Sequence, residues 1–325
     1  MAALRHAPLF ACARLPALSL LGPGARAHAP APPLPRPAPG VAAWARGVAA
    51  AADAQFDGEV SVLYGRFFEQ LTPVWEHINA GIPKKEGMQV LDIASGPGQP
   101  AALVARTRPD ARVVSTDLAP DMVEQAIANT SELSNVSCRV LDMQAMDGLS
   151  DGEFDVVTCS FGFMFAPDLP SALKETNRVL RADGGTLHAT VWQEMPIIPL
   201  MGRVMTTVLG APPPPPPINP MSLAERPAFD GPLADAGFDI TSDETGTIVF
   251  DLGSDPDFAW RLGTIPVLPT LKELDAAGQH GDVFAKARSA FEAETRSWLD
   301  ARSGRLLVPA ATYRLVVARK ASRAR

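Results

Sequence analysis

The run Val90-Leu91-Asp92-Ile93-Ala94-Ser95-Gly96-Pro97-Gly98 carries the densest chemical signal in the 325-residue chain. Apolar residues lead into a turn of small ones, and a helix-forming stretch follows from Gln99. Small residues let the backbone come close to a ligand, and the start of the helix offers unpaired amides. Asp117 closes the next apolar run and Asp142 the one after it. Carboxylates at those positions can accept hydrogen bonds from ribose hydroxyls, the geometry of a nucleoside site at the carboxyl edge of a parallel sheet.

Two chemistries share that geometry. A nicotinamide-dependent oxidoreductase needs free amides at the helix start to hold a pyrophosphate. Here Gly96-Pro97-Gly98-Gln99-Pro100-Ala101 places two prolines in that position. Asp92 inside the strand, the second carboxylate Asp142, and Arg181-Ala182-Asp183-Gly184-Gly185 ahead of a fifth strand favour methyl transfer over hydride transfer. A third possibility is a non-catalytic binding or assembly protein that keeps the same architecture.

The elements that must hold these residues follow from periodicity and punctuation. Strands are predicted over 89–94, 112–116, 136–141, 154–160 and 186–192, and helices over 99–108 and 120–132, with Pro120 in a first turn. Asp168 reads as the N-cap of a further helix that runs to Leu180 and is stopped by Gly184-Gly185. Apolar residues at near-helical spacing over 60–80 predict a leading helical pair. Beyond strand five the stretch 196–229 is apolar and proline-broken, with a stiff run from Pro212 to Pro217. The last two strands are predicted over 239–250 and 313–318, and 255–302 between them is largely helical. Strands alternating with helices imply a parallel sheet covered on both faces.

Composition narrows the function classes. The chain is 46% hydrophobic and 20% charged, as globular domains are. No apolar run approaches the ~18 residues of a transmembrane helix. Cys12, Cys138 and Cys159 are too far apart for a zinc cluster or a disulfide framework. Residues 1–52 contain five arginines, no lysine and no acidic residue, which predicts a targeting segment for an organelle, a mitochondrion or a plastid. The catalytic domain is then 53–325. Without those five charges the body carries −12 against −7 for the whole chain, and an acidic body argues against a nucleic-acid substrate. No general base stands out. His77 and His188 read as packed or exposed histidines, His280 as a turn residue, and no metal-ligand spacing is present.

From Tyr64 to Trp192, and less sharply to Lys320, the chain resembles class I S-adenosylmethionine-dependent methyltransferases of the small-molecule type, the group that includes the ubiquinone and menaquinone C-methyltransferases. The matching blocks are Val90 to Gly98, Asp117-Leu118-Ala119-Pro120-Asp121-Met122, Leu141-Asp142-Met143-Gln144, Phe154-Asp155-Val156-Val157 and Val179 to Gly185. The resemblance implies a doubly wound, seven-stranded, mostly parallel α/β sheet of Rossmann-like form. Its last strand would be antiparallel, with helical lid insertions at about 195–229 and 255–302. The implied cofactor is S-adenosyl-L-methionine and the implied partner a small-molecule acceptor.

Carried over position by position, Asp92 and the turn of Ala94, Ser95, Gly96 and Gly98 would meet the methionine end of the cofactor. Asp117 and Leu118 would hold the ribose side, and Met122 would pack on the adenine. Asp142, Met143 and Gln144 would read its edge. Ser160 and Phe161 resemble the floor beside the sulfonium, and Tyr64 an aromatic residue that covers it. Ala94 stands where many members of the family have glycine, so a left-handed backbone there would carry a Cβ at some cost. Ser160-Phe161-Gly162-Phe163 departs from the Asn/Asp-Pro-Pro-aromatic motif of nucleic-acid amino-methyltransferases. Apolar residues of the insertions (Ile197, Ile198, Leu200, Met201, Met205, Phe258 and Trp260) would suit a hydrophobic or aromatic acceptor or form the core of the lid itself.

Overall fold

At the centre of the structure lie two strands with almost no residue open to water, β1 (Gln89–Ile93) and β4 (Val156–Ser160). Uninterrupted burial of this kind belongs to parallel strands covered on both faces. The computed structural model describes residues 66–215 and 219–321. The segment 1–52, the boundary at 53, Tyr64 and the end of the proline run lie outside them. Around the central pair, β2 (Arg112–Asp117), β3 (Val136–Val140), β5 (Thr186–Glu194), β6 (Phe238–Ile248) and β7 (Ala311–Lys320) complete a seven-stranded sheet of order β3-β2-β1-β4-β5-β7-β6. Only β7 runs against its neighbours. That order is the expected doubly wound sheet, and β7 inserted between β5 and β6 is not the arrangement of a dinucleotide-binding dehydrogenase.

Crossover helices α2 (Gln99–Thr107) and α3 (Pro120–Asn129) follow β1 and β2, and α4 (Leu169–Val179) follows β4. A leading helix, α1 (Thr72–Gly81), packs on α2. The strand order reverses between β1 and β4. Right-handed crossovers therefore place α2 and α3 on one face and α4 on the other. The reversal leaves a crevice above the carboxyl ends of β1 and β4, where such sheets bind ligands.

One expectation is corrected. The helix after Asp168 ends at Val179, five residues before Gly184. Leu180 leaves it in an extended conformation, is fully buried and bridges to Phe154. The glycines instead close the turn into β5: a Cβ on Gly185 would lie 2.6 Å from the Arg181 carbonyl oxygen. The helical insertion expected after β5 is present despite its prolines, as α5 (Ile197–Leu209) and the start of α6 (Arg226–Asp235). Pro196 and Pro199 sit at the entrance of α5, where amides have no helical partner to lose. Its residues Ile197, Leu200, Met201, Val204, Met205 and Val208 are buried at helical spacing. Between β6 and β7 lie α7 (Pro256–Thr264), α8 (Leu268–Ala277) and α9 (Val283–Glu294), with α9 packed along α5. No helix among the described residues is long and apolar enough to cross a membrane.

Candidate functional site

The turn that follows β1 is built from left-handed residues. Ala94, Gly96 and Gly98 have φ of 50°, 56° and 85°. Its backbone is pinned to β2: the Ser95 amide donates to the Thr116 carbonyl (2.9 Å), and the Ser95 and Ser115 hydroxyls share a bond of 2.6 Å. Asp117, at the end of β2, accepts from the Gly96 amide through Oδ2 (2.8 Å) and from the Ala119 amide through Oδ1 (3.0 Å). Its carboxylate therefore shapes the turn as well as facing the crevice. Gly98 caps α2 where that helix touches α3, and a Cβ there would lie 2.8 Å from Ala126 Cβ. Gly98→Ala combines left-handed strain with that clash. It is expected to lower Tm by about 5–10 °C in a thermal melt; an unchanged Tm would mean that α3 gives way freely.

Asp92 occupies β1 with 1% of its surface exposed. Oδ1 accepts from the Thr158 hydroxyl on β4 at 2.6 Å, while Oδ2 completes no hydrogen bond. Burial pushes this carboxyl up to about 7, against the opposing pull of the Thr158 hydroxyl and, more weakly, of the nearby Ala101 amide, which does not reach hydrogen-bonding geometry. Asp117 is also raised by burial, offset by the amides of Ala119, Gly96 and Leu118. A second unpartnered polar atom is Ser160 Oγ, buried at the end of β4. Phe161 follows with φ of 56°, its amide donating to Thr190, and its ring stacks on Trp192 at 3.8 Å. Ala94 and Phe161 are the two non-glycine residues with positive φ among those described. The two turns pack together at Gly162, next to Phe161, where an added Cβ would fall 2.6 Å from Ala94 Cβ.

The third carboxylate lies in the same row, because the Leu141 amide at the end of β3 donates to the Asp117 carbonyl at 2.9 Å. Asp142 accepts from the Gln144 amide (2.8 Å), and Gln144 Oε1 accepts from the Asp168 amide (2.8 Å). The side chain of Gln144 is thus engaged within the protein. Leu118, Met122 and Met143 are half-buried along this edge. Tyr64 lies outside the described residues. The leading segment places Phe68 over the turn instead, with Cε1 3.9 Å from where a Gly96 Cβ would be.

Several participants carried no signal in sequence. Trp192 is one, and the Phe161 ring also meets Tyr313 edge-on at 6.0 Å. Tyr313 in turn lies 3.0 Å from His77 Nδ1, whose Nε2 lies 3.1 Å from Glu244. His77 thus ties α1 to β6 and β7. His188 is the packed histidine expected, buried and lowered to about 4 by desolvation. Cys159 is buried beside Asp92, and desolvation keeps it a thiol. Phe163 and Met164 are core residues, and Phe163 leans on Phe229.

A left-handed small-residue turn, a carboxylate at the exit of each neighbouring strand and unpartnered buried oxygens at the strand reversal define a nucleoside-cofactor site of the methyl-transfer kind. The comparisons with known proteins agree. Residues 90–184 match a family model described as a methyltransferase domain. Over 173 residues the chain is 36% identical to the demethylmenaquinone methyltransferase of Thermus thermophilus, covering 48% of this chain and 77% of that one. It is 32% identical over 141 residues to an uncharacterized protein of Mycobacterium tuberculosis, covering 43% of this chain and 49% of that one. The chain thus spans about half the length of several curated relatives that it matches. A solved structure of a candidate methyltransferase from Bacillus halodurans superimposes with a TM-score of 0.50 at 20% identity, over 76% of this chain and 98% of that one, a likeness of fold alone. The chain belongs to the class I S-adenosylmethionine-dependent methyltransferases.

Proposed function

We propose that this chain transfers a methyl group from S-adenosylmethionine to a small hydrophobic or aromatic acceptor by in-line displacement. The observation that carries the cofactor assignment is the buried, unpartnered Asp92 Oδ2 beside a glycine turn whose Gly96 position is open except for the Phe68 ring. A buried polar atom without a partner is costly in a folded protein. A cationic amino group is the complement that Asp92 lacks. On this reading Asp92 and Ala94 to Gly98 hold the methionine end, Asp117 and Leu118 the ribose side, and Met122 with Asp142 and Met143 the adenine. Ser160 and Phe161 line the floor. When bound, the cofactor supplies an electrophilic methyl group and its own leaving group. The protein's part is orientation and exclusion of water.

For the acceptor, four of the apolar residues of the insertions (Ile197, Leu200, Met201 and Met205) are buried in the main core, and Ile198, Phe258 and Trp260 pack against that core. They form the interior of the insertions, so the support for a hydrophobic acceptor comes from elsewhere. Phe67 stacks on Phe250 at 4.6 Å, Phe250 leans on Trp192 at 6.2 Å, and Trp192 stacks on Phe161. This aromatic tier beside the strand reversal suits a flat or apolar molecule.

Calorimetric titration of the full chain with S-adenosylmethionine and S-adenosylhomocysteine tests the first half. Micromolar-range binding is expected. A mass-spectrometric screen of phenols, quinols and aliphatic acids tests the second: methylation of small, very polar compounds alone would sink the hydrophobic assignment. Cofactor binding without turnover across the whole panel would favour a non-catalytic role.

A further inference from the structure

Residues 66–71 lie between the cofactor turn and the helical insertion that separates β6 from β7. On one side is Phe68, over Gly96. On the other is Gln70, whose amide makes a reciprocal pair with one backbone unit of the chain after β6. Gln70 Oε1 accepts from the Asp251 amide at 2.6 Å, and Gln70 Nε2 donates to the Asp251 carbonyl at 3.3 Å. Phe67 stacks on Phe250 with the rings 3° from parallel.

The partner segment is the root of the insertion. Residues 250–253 run antiparallel to 306–308: the Leu252 amide donates to the Leu306 carbonyl (2.9 Å), the Leu306 amide to the Gly253 carbonyl (2.8 Å), and the Val308 amide to the Phe250 carbonyl (2.8 Å). The first of these strips leads into α7, and the second receives the chain after α9. Arg305 adds an ion pair to Asp251 at 2.5 Å. Beyond the root, Gly253 sits against Phe258 of α7, where a Cβ would come within 3.1 Å of the ring. The roof over the glycine turn and the base of α7–α9 are therefore joined by a packed, hydrogen-bonded seam. Close-packed elements pass on displacement as a unit and are not freely deformable.

We propose that Gln70 is a positioning residue that couples cofactor occupancy to the placement of the α7–α9 insertion. The coupling rests on the cofactor assignment made above. Settling of Phe68 on an occupied turn fixes residues 66–71, and through Gln70 it fixes the root at Asp251. The acceptor side is then completed on the cofactor-loaded protein ahead of acceptor binding. Coupling of this kind acts in both directions, so an ordered insertion also retains the cofactor.

Hydrogen-exchange mass spectrometry of the full chain, with and without saturating S-adenosylhomocysteine, tests this in wild type and in Gln70→Met, which keeps side-chain length and removes both hydrogen bonds. In wild type, exchange is expected to slow over 66–71 and 94–98, and by at least about tenfold over 250–263 and 305–308. In Gln70→Met the first pair of segments stays protected and the second pair loses its protection. The dissociation constant for S-adenosylhomocysteine changes by less than about fivefold, the low end of intersite coupling. Gln70→Glu, which keeps the acceptor for the Asp251 amide, retains part of the remote protection. Undiminished protection of the root in Gln70→Met, or none there in wild type, overturns the coupling. Absence of protection at 94–98 in wild type overturns the cofactor assignment, and the coupling with it.

Discussion

Asp117→Ala is expected to weaken S-adenosylhomocysteine binding by at least about a hundredfold, a loss of roughly 2.7 kcal/mol. On the proposed reading the carboxylate would have two duties. It accepts from the Gly96 and Ala119 amides at 2.8 and 3.0 Å, which sets the curvature of the glycine turn and the entry into α3. Hydrogen bonds to a charged acceptor contribute about 1.5–3 kcal/mol each. Truncation to alanine leaves both amides seeking water and lets the turn relax away from its left-handed geometry. The free oxygen lone pairs that would meet ribose hydroxyls go with it. Asp117→Asn should fall between, because its amide can accept from only one of the two backbone donors while its NH2 opposes the other. Calorimetry gives the affinities, and circular dichroism confirms that the variants fold. A folded Asp117→Ala protein that binds within threefold of wild type would remove Asp117 from the site.

The parts of the molecule legible in the sequence share a physical cause. β1 and β4 are covered on both faces and β2 nearly so, and short apolar stretches such as Val90-Leu91, Val113-Val114 and Val156-Val157 mark them in the sequence. The turn after β1 needs positive φ, which restricts it to small residues. Ala94 bears out the expectation that a Cβ could occupy a left-handed position there. Pro196 and Pro199 are helix breakers by type, yet the helical insertion expected there forms, because they stand at its entrance and Leu200, Val204 and Val208 bind it into the core. Elsewhere a local signal misled. Gly184-Gly185 reads as a helix stop, but the chain leaves the helix first at Leu180, which turns extended and bridges to Phe154.

Within the site the same division holds. Asp92, Asp117 and Asp142 announce themselves because each stands in or just past the carboxyl end of a strand. Thr158, Phe68, Trp192 and Tyr313 do not, because their roles depend on partners far away in the chain. Tyr313 meets His77 across 236 residues, and Gln70 meets Asp251 across 181. No spacing rule reaches that far, and only the antiparallel insertion of β7 brings Tyr313 to the carboxyl edge. Phe161 is the hardest case. Its left-handed backbone costs roughly 1–2 kcal/mol, and nothing in Ser160-Phe161-Gly162 foretells it. The stack on Trp192 and the Thr190 contacts of its amide hold it there. Ala94 bears similar strain in the adjoining turn, packed against Gly162, so the two costly residues stand side by side at the carboxyl ends of β1 and β4.

Asp92 should show the same trade between stability and binding in a form that pH can separate. Its carboxyl, ordinarily near 3.8, is raised to about 7 because burial penalises the charge. A proton held more tightly in the folded state than in the unfolded one stabilises the fold at low pH. That contribution fades as pH climbs from about 4 and is gone above about 7, where the folded protein must bury the anion. Asp92→Asn keeps the shape and an acceptor for the Thr158 hydroxyl but has no charge to bury. Relative to wild type, its unfolding free energy in urea should therefore rise by roughly 2–3 kcal/mol between pH 5 and pH 8. At pH 8 the same variant should bind S-adenosylhomocysteine at least about tenfold more weakly, for want of the anion that on the proposed reading would face the cofactor's amino group. In wild type, cofactor binding near pH 6.5 should release a proton, seen as a dependence of the calorimetric heat on the ionisation enthalpy of the buffer. A variant stabilised at pH 8 yet undiminished in binding would show that the buried carboxylate serves the fold in some other way. One that loses both stability and affinity would show that burial is not what raises its pKa. Gain in stability with loss of binding is the signature of a charge kept in the core for its ligand.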